Sequence, residues 1–109
     1  MRYEVSKHEV MKGHGDLLVL AALAAGPAHG YAIVETVKAR SAGAFDLAEG
    51  TVYPALYRLE RQGLLESTWS DAEARRRRIY RLTRRGRSEL AQQRTDWRSY
   101  VDAMGAALA

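Results

Sequence analysis

Apolar side chains recur along the chain at spacings that predict four helices and one pair of short strands. The first helix runs from about Asp16, which can cap it, to about Ala25, and its run LLVLAALAA is apolar on almost every side. Such a helix is buried on several sides, either within its own domain or against a second subunit. A Gly-Pro pair ends it, and a second helix from about Gly30 to Ala39 carries a single apolar stripe.

A third helix is expected to start near Thr51, with Pro54 in its first turn, where the missing backbone N–H costs little. At 100° per residue, one side of this helix is apolar and holds Val52, Ala55, Leu56 and Leu59. The opposite side is polar and aromatic, with Tyr53, Pro54, Tyr57, Arg58 and Arg61. Gly63 is well placed as its C-terminal cap, and Glu60 is interpreted as a surface acid.

Two strands, at about 64–69 and 77–82, are predicted next, joined by an arginine-rich tip. Trp69 is expected to lie opposite Tyr80 or Leu82 and to pack in the core or the hairpin. Thr83 can cap a last helix that runs nearly to the end of the chain. From position 97 its apolar residues are spaced by 4, 3 and 4, a heptad-like seam that requires a partner helix and consists of Trp97, Val101, Met104 and Leu108.

This order of elements predicts a mainly α fold with a small β-hairpin. We assign residues 13–82 to a winged helix-turn-helix DNA-binding domain and residues 83–109 to a C-terminal dimerisation helix. The N-terminal arm and the first helix are expected to contribute to dimerisation. A helix that can enter a groove, followed by a basic hairpin, is typical of winged-helix proteins that bind double-stranded DNA.

Charge is concentrated in one segment. The chain has 17 Lys and Arg against 13 Asp and Glu, for a net charge of +4. Residues 75–87, RRRRIYRLTRRGR, contain eight arginines and no acid. Such a cluster favours a phosphate backbone or an acidic membrane surface, and the alternative is a solvated charged face.

Several functional classes are not supported. The chain has no cysteine, and His8, His14 and His29 are too scattered for a metal site, so we expect no metal or cofactor. His29 is expected to have a structural role at the start of the second helix. No Ser–His–acid or paired-carboxylate arrangement is visible, so an enzyme is not expected. No apolar run approaches the roughly 20 residues of a membrane span, and no signal peptide is recognised, so a soluble cytoplasmic protein without membrane contact is expected.

The polar side of the third helix and the arginine-rich tip supply the candidate DNA contacts. Arginine can bond guanine with two N–H groups, while threonine and tyrosine hydroxyls can bond phosphate or base. The candidates are Thr51, Tyr53, Pro54, Tyr57, Arg58, Arg61, Arg75, Arg76, Arg77 and Arg78. The alternatives are that a tyrosine packs between helices and that at least one tip arginine pairs with an acid such as Glu66 or Glu73.

Three segments resemble the PadR family of bacterial transcriptional regulators. They are LLVLAALAAGPAHGYAIVETV, LAEGTVYPALYRLERQGLLES and RRRRIYRLTRRGRSEL, which together span about Asp16 to Leu90. The short last helix is similar to that of the smaller, multidrug-sensing members. Ala74 departs from a frequent glycine before the arginines, and Ile79 from a frequent aromatic residue.

The resemblance implies a winged-helix homodimer that represses a nearby promoter and releases DNA when a small molecule binds. Because an indole face stacks planar aromatics and attracts cations, Trp97 favours an aromatic or cationic aromatic compound as that molecule. The resemblance also implies that the first and last helices form the dimer interface, and that Trp97 occupies a ligand-lining position. The candidate ligand-binding residues are Leu17, Trp97 and Val101. The candidate interface residues are Leu17, Leu20, Leu90, Trp97, Val101, Met104 and Leu108.

Three functions remain open at this point. The first is a ligand-responsive repressor on an inverted-repeat operator with half-sites about one helical turn apart. The second is a constitutive DNA-binding or architectural winged-helix protein in which Trp97 is only packed. The third is a protein-interaction winged helix that has lost DNA binding.

Overall fold

The computed structural model describes residues 14–71 and 76–109. Along these residues the chain forms α1 (Gly15–Leu23), α2 (Gly30–Arg40), α3 (Glu49–Arg61), β1 (Leu65–Ser70), β2 (Arg77–Leu82) and α4 (Arg84–Leu108). The fold is mainly α with one antiparallel hairpin, a winged helix-turn-helix followed by a long C-terminal helix. The predicted fold class is therefore confirmed. The predicted N-terminal arm with His8 lies outside the described residues, as do Glu73, Ala74 and Arg75, which stand between β1 and β2 in the sequence.

Helix α1 is the central helix of the domain. It contacts α2, α3, α4 and β2, and its side chains are buried or partly buried from Leu17 to Leu23, as its apolar pattern predicts. Its bounds differ from those expected, because it ends at Leu23 rather than near Ala25. Asp16 is not its N-cap: the cap is His14, and the Asp16 carboxylate in the first turn accepts hydrogen bonds from Arg58 instead.

Helix α3 buries the predicted apolar side, which consists of Val52, Ala55, Leu56 and Leu59. It begins at Glu49, before the expected start at Thr51, so Pro54 lies in the second turn and not in the first. Its C-terminal end matches the prediction: Gly63 follows the cap residue Gln62 with a φ of 78°, a left-handed conformation that glycine adopts without steric cost.

The hairpin of β1 and β2, here called the wing (residues 65–82), is anchored to the helices on one face, where Leu65, Tyr80 and Leu82 are buried. Ala28 and Tyr80 exchange two backbone hydrogen bonds of 3.0 and 2.9 Å, which join the segment before α2 to β2. The predicted strand partners of Trp69, and its predicted place in the core, are wrong, whereas the alternative of packing within the hairpin is not contradicted. Trp69 pairs with Arg78 rather than with Tyr80 or Leu82 and is 53% exposed, because the outer end of the hairpin extends beyond the core.

Helix α4 starts in the core and ends outside it. Thr83 caps it as predicted, since its Oγ1 accepts a hydrogen bond from Gly86 N at 3.0 Å. Gly86 packs against the Leu64 carbonyl so closely that a Cβ could not be accommodated. Leu90 is buried, whereas every residue of α4 beyond Arg94 is exposed. Two interface assignments are therefore corrected: Leu20 and Leu90 are 0% and 2% exposed within their own chain, so a second subunit cannot bury them further.

Among the described residues, no helix combines the length and the apolar character that crossing a membrane requires.

Candidate functional site

The polar side of α3 forms an exposed surface. All six of its candidate DNA contacts are exposed, and they are Thr51, Tyr53, Pro54, Tyr57, Arg58 and Arg61. The structure thus places these side chains together on the side opposite the core. The surface adjoins the wing, because Tyr53 of α3 lines the same cleft as Trp69 and Arg76 of the wing.

The two tyrosines of this surface have different surroundings. The ring of Tyr53 lies against Gly30 of α2, where an added Cβ would come within 2.7 Å of it. Tyr53 therefore packs between helices while about half of its surface stays exposed. Tyr57 is more exposed, and the Arg61 guanidinium lies 5.7 Å from the centre of its ring. Tyr57 and Arg61 thus form a neighbouring pair of an aromatic and a cationic side chain on the outer surface of α3.

Arg58 joins α3 to the first turn of α1. Its Nε and Nη2 donate to the two carboxylate oxygens of Asp16, at 3.3 and 2.5 Å. The two residues are 42 positions apart in the sequence, and we did not predict this contact. The Arg58 and Asp16 side chains remain 51% and 35% exposed, so water screens the pair and its contribution to stability is small, about 0–1 kcal/mol.

A second network joins α3 to the wing. Arg78 donates to Ser67 Oγ at 2.8 Å and to Glu60 at 3.3 Å, and Ser67 Oγ donates to Glu60 at 2.5 Å. Arg78 therefore pairs with an acid, as predicted for at least one of these arginines, but the acid is Glu60 rather than Glu66. Glu66 instead accepts from Arg81 at 2.8 Å. Glu60 is thus a link between α3 and the wing and not a plain surface acid.

The other described arginines of the wing make separate contacts. Arg76 Nε lies 3.7 Å from Asp71, and the Arg76 guanidinium carbon lies 4.7 Å from the centre of the Trp69 ring. Arg77 Nη1 lies 2.7 Å from His29 Nε2. His29 has the predicted structural role, since its Nδ1 accepts a hydrogen bond from Ala32 N at the start of α2. Arg75 lies outside the described residues.

These arginines border a cleft of about 710 Å³ between the wing and the starts of α2 and α3. Tyr31, Tyr53 and Trp69 contribute aromatic surface to it, and Arg76 and Arg77 contribute positive charge. Tyr80 lies on its inner wall, where burial raises the pKa of its hydroxyl and the neighbouring Arg78 partly opposes that increase. The cleft therefore places cationic groups next to Tyr53 of α3, which suits the phosphates of a polyanion.

A second cavity, here called the α1–α4 cavity, has a volume of about 410 Å³. Leu17 and Trp97 line it together, as predicted, and Phe45, Leu18 and Ala21 complete its apolar wall. Val101 does not line it. The ring stacked on Trp97 is Tyr100, with centroids 5.7 Å apart, and the His14 ring meets the Trp97 ring edge-on at 5.1 Å. Phe45 was not predicted to line a cavity. The one signal for it in the sequence is that the chain's single phenylalanine lies in a loop.

The outer half of α4 carries an uncovered apolar stripe. Its exposed residues are Trp97, Tyr100, Val101, Met104 and Leu108. They include the whole predicted seam. In the part of the chain that the structure describes, no group of His, Asp or Glu side chains is arranged to hold a metal ion.

Residues 19–92 match the transcriptional regulator PadR-like family, which is well over half of the chain. The chain belongs to the PadR family. The predicted resemblance is confirmed, and the protein is a transcriptional regulator of this family.

Solved structures of PadR-like regulators share the fold. A PadR family regulator from Eggerthella lenta is 34% identical, with a TM-score of 0.80 over 93% of this chain and 87% of that one. A transcriptional regulator from Clostridium thermocellum is 28% identical, with a TM-score of 0.82 over 89% of this chain and 95% of that one. Bacillus subtilis PadR, solved in complex with operator DNA, is 23% identical, with a TM-score of 0.67 over 76% of this chain and 47% of that one.

Proposed function

We propose that this PadR-family regulator is a sequence-specific repressor that binds an inverted-repeat operator as a homodimer. The observation that supports this most directly is the exposed polar side of α3 next to a wing that carries arginines. In helix-turn-helix proteins such a helix enters the major groove. The B. subtilis relative of the same fold was solved on operator DNA, which supports the same use of this surface. The proposed contacts are Thr51, Tyr53, Pro54, Tyr57, Arg58, Arg61 and Arg75–Arg78.

Arg58 is the proposed base-reading residue, and it must exchange its partner to act as one. Its guanidinium is bound to Asp16 in the free protein, and the half-exposed pair contributes only about 0–1 kcal/mol. A two-point contact with guanine discriminates between bases by about 1–3 kcal/mol. Because the contact with guanine is worth more than the ion pair, we expect Arg58 to leave Asp16 when the operator is bound.

Replacing Arg58 by alanine tests this role. Using a duplex from the protein's own upstream region, mapped by footprinting, we expect Arg58→Ala to weaken binding by about 1–3 kcal/mol while binding to random DNA changes little. Asp16→Asn, which keeps Arg58 and removes its competing carboxylate, should bind the operator at least as tightly as the original protein. Equal losses of Arg58→Ala on operator and random DNA would exclude Arg58 from base reading. No preference of the original protein for the upstream duplex would instead favour a winged helix that binds other proteins.

The uncovered stripe on α4 is the proposed dimer interface, together with the exposed part of Leu17. Its core residues, Trp97, Val101 and Met104, are each more than two-fifths exposed in the single chain. An apolar seam with heptad spacing on a protruding helix is stable in water when a second helix covers it. A symmetric dimer would place two copies of α3 on successive turns of DNA.

We expect Val101→Asp to convert the protein to a monomer at micromolar concentration, because it places a charge in the centre of the seam. Ala106→Asp is the matched control, since Ala106 is on the same helix and exposed but faces about 180° away from Trp97. Analytical ultracentrifugation of both variants and the original protein provides the measurement. A monomer in the original protein, or equal dissociation by both variants, would contradict the proposed interface.

The α1–α4 cavity is the proposed effector site. It offers the flat face of Trp97 and an apolar wall, and Arg94 and Arg98 are also among its lining residues. Two arginines disfavour a cationic ligand, so we propose a planar aromatic compound that is neutral or negatively charged and that lowers operator affinity. The second candidate is a constitutive regulator in which His14 and Tyr100 simply pack against Trp97.

A further inference from the structure

Trp69 is a large aromatic side chain that the core does not cover. It is the fifth residue of β1, on the same face as the buried Leu65, yet more than half of its surface is exposed. The side chains that approach its ring are two arginines, with the guanidinium carbon of Arg76 at 4.7 Å and that of Arg78 at 5.5 Å from the ring centre. Both distances lie within the roughly 6 Å range of a cation–π interaction.

The two arginines differ in their other contacts. Arg78 is held by hydrogen bonds to Ser67 and to Glu60, so its guanidinium is already bound to the body of the domain. Arg76 has a weaker ion pair: its Nε is 3.7 Å from Asp71, and the two side chains are 65% and 81% exposed. Since such exposed pairs contribute little and are screened by salt, the ion pair alone does not hold Arg76, and the Trp69 ring provides a second restraint on it.

We propose that Trp69 is a positioning residue that holds the Arg76 guanidinium in place to bind a DNA phosphate. The proposal rests on the proposed DNA-binding function. Arginine has a long side chain that loses much conformational freedom when it binds. A guanidinium restrained over a ring before binding loses less, and its N–H donors, which lie in its own plane, remain available for a phosphate oxygen. Trp69 would thus increase DNA affinity through Arg76 without contacting DNA.

The Glu60–Ser67–Arg78 network supports this role, because it fixes the part of the hairpin that carries Trp69. Ser67 is on the same strand face as Trp69, and Arg78 is the residue that pairs with Trp69 across the hairpin. The network therefore orients the Trp69 ring relative to α3. Arg76 on that ring is then placed at a defined distance from the bases that α3 would contact.

A double-mutant cycle on DNA affinity tests the proposal. Trp69→Ala, Arg76→Ala and the double variant are compared on the upstream duplex by fluorescence anisotropy with labelled DNA at several salt concentrations. We expect Arg76→Ala, which removes two proposed phosphate contacts per dimer, to weaken binding about thirtyfold, and Trp69→Ala, which only releases the guanidinium, to weaken it about three- to tenfold. If Trp69 acts through Arg76, the double variant is no weaker than Arg76→Ala alone. Trp69→Ala should also flatten the dependence of log K on log salt, which a loss of shape alone would not do.

Two further variants separate the aromatic ring from apolar bulk. Trp69→Phe keeps a ring and should restore most of the affinity, whereas Trp69→Leu should behave like Trp69→Ala. As a control pair, Trp69→Ala combined with Arg61→Ala on α3 should show losses that multiply, because these two residues act separately. Thermal unfolding of each variant verifies that it is folded. If Trp69→Ala does not fold, the comparison of Trp69→Phe with Trp69→Leu still tests the role of the ring.

Three results would overturn the positioning role: multiplied losses in the Trp69 and Arg76 cycle, full affinity in Trp69→Leu, or unchanged affinity in Arg76→Ala. Each of them presupposes that the original protein binds its upstream duplex more tightly than random DNA. If it does not, the proposed function itself has failed. The two failures are therefore distinguishable in one set of titrations.

Discussion

Replacing Arg76 and Arg77 together by alanine is expected to weaken DNA binding roughly a thousandfold at 0.15 M salt. Each arginine is proposed to bind one phosphate, so a dimer loses four contacts. Each phosphate neutralised contributes about 0.9 to the slope of log K against log salt. The slope should therefore become less steep by about 3.6, and the affinities for operator and random DNA should fall together. Titrations of both duplexes at four or more salt concentrations measure the slope.

A charge-matched control separates local contact from general attraction. Arg84→Ala with Arg87→Ala removes the same charge from exposed positions at the start of α4, outside the wing. This variant should lose much less affinity, because only long-range attraction is reduced and salt screens it. Equal losses in the two double variants would mean that the wing contributes net charge and no specific phosphate contact.

Replacing Trp97 by alanine is expected to abolish the effector response, while Val101, Met104 and Leu108 keep enough of the seam for a weaker but folded dimer that binds its operator. Trp97 provides the largest flat surface of the α1–α4 cavity. A ligand releases DNA because it binds more tightly to the dimer form that cannot bind DNA than to the form that can. A difference of about 2 kcal/mol between the two forms changes operator affinity about thirtyfold.

The structure suggests how the cavity would affect α3. Leu17 lines the cavity, and the adjacent Asp16 binds Arg58, so a shift of the first turn of α1 changes the surroundings of a proposed base-reading residue. Tryptophan fluorescence measures the binding step. Trp69 is the chain's other tryptophan, so quenching that disappears in Trp97→Ala belongs to Trp97.

The measurement uses a panel of planar aromatic acids and neutral aromatics, with a cationic set for comparison. We expect quenching and DNA release by members of the first two groups. If none of the compounds quenches the fluorescence or releases DNA, the sensing role fails and the constitutive regulator takes its place. Stronger responses to the cationic set would contradict the effect assigned to Arg94 and Arg98.

The helices and their faces could be predicted because they depend on residues close in sequence. The apolar side of α3 follows from helical geometry alone, and it was identified correctly with its exposed counterpart. The cap at Thr83 depends on a hydrogen bond that spans three residues, and the cap at Gly63 depends on one backbone angle. The predicted end of α1 and the predicted start of α3 each lie about two residues from the observed positions, because helix ends fray and local sequence defines them only to within one or two residues.

The partners of the functional side chains could not be predicted. Glu60 and Arg78 are 18 positions apart, and Asp16 and Arg58 are 42 apart, so no local pattern identifies either pair. Trp69 shows the same difficulty. Its residue type favours burial, but its surroundings depend on the register of the hairpin, which places it opposite Arg78 at the exposed end.

The sequence by itself determined the winged-helix fold, the exposed side of α3, the basic wing and the seam on α4, because periodicity and charge are properties of neighbouring residues. Only the tertiary structure decided that Leu20 and Leu90 belong to the core, that Phe45 and His14 join Trp97 around a cavity, and that Arg76 lies on Trp69. These facts depend on how distant segments pack against one another. Packing selects one partner for each side chain from many that the sequence allows.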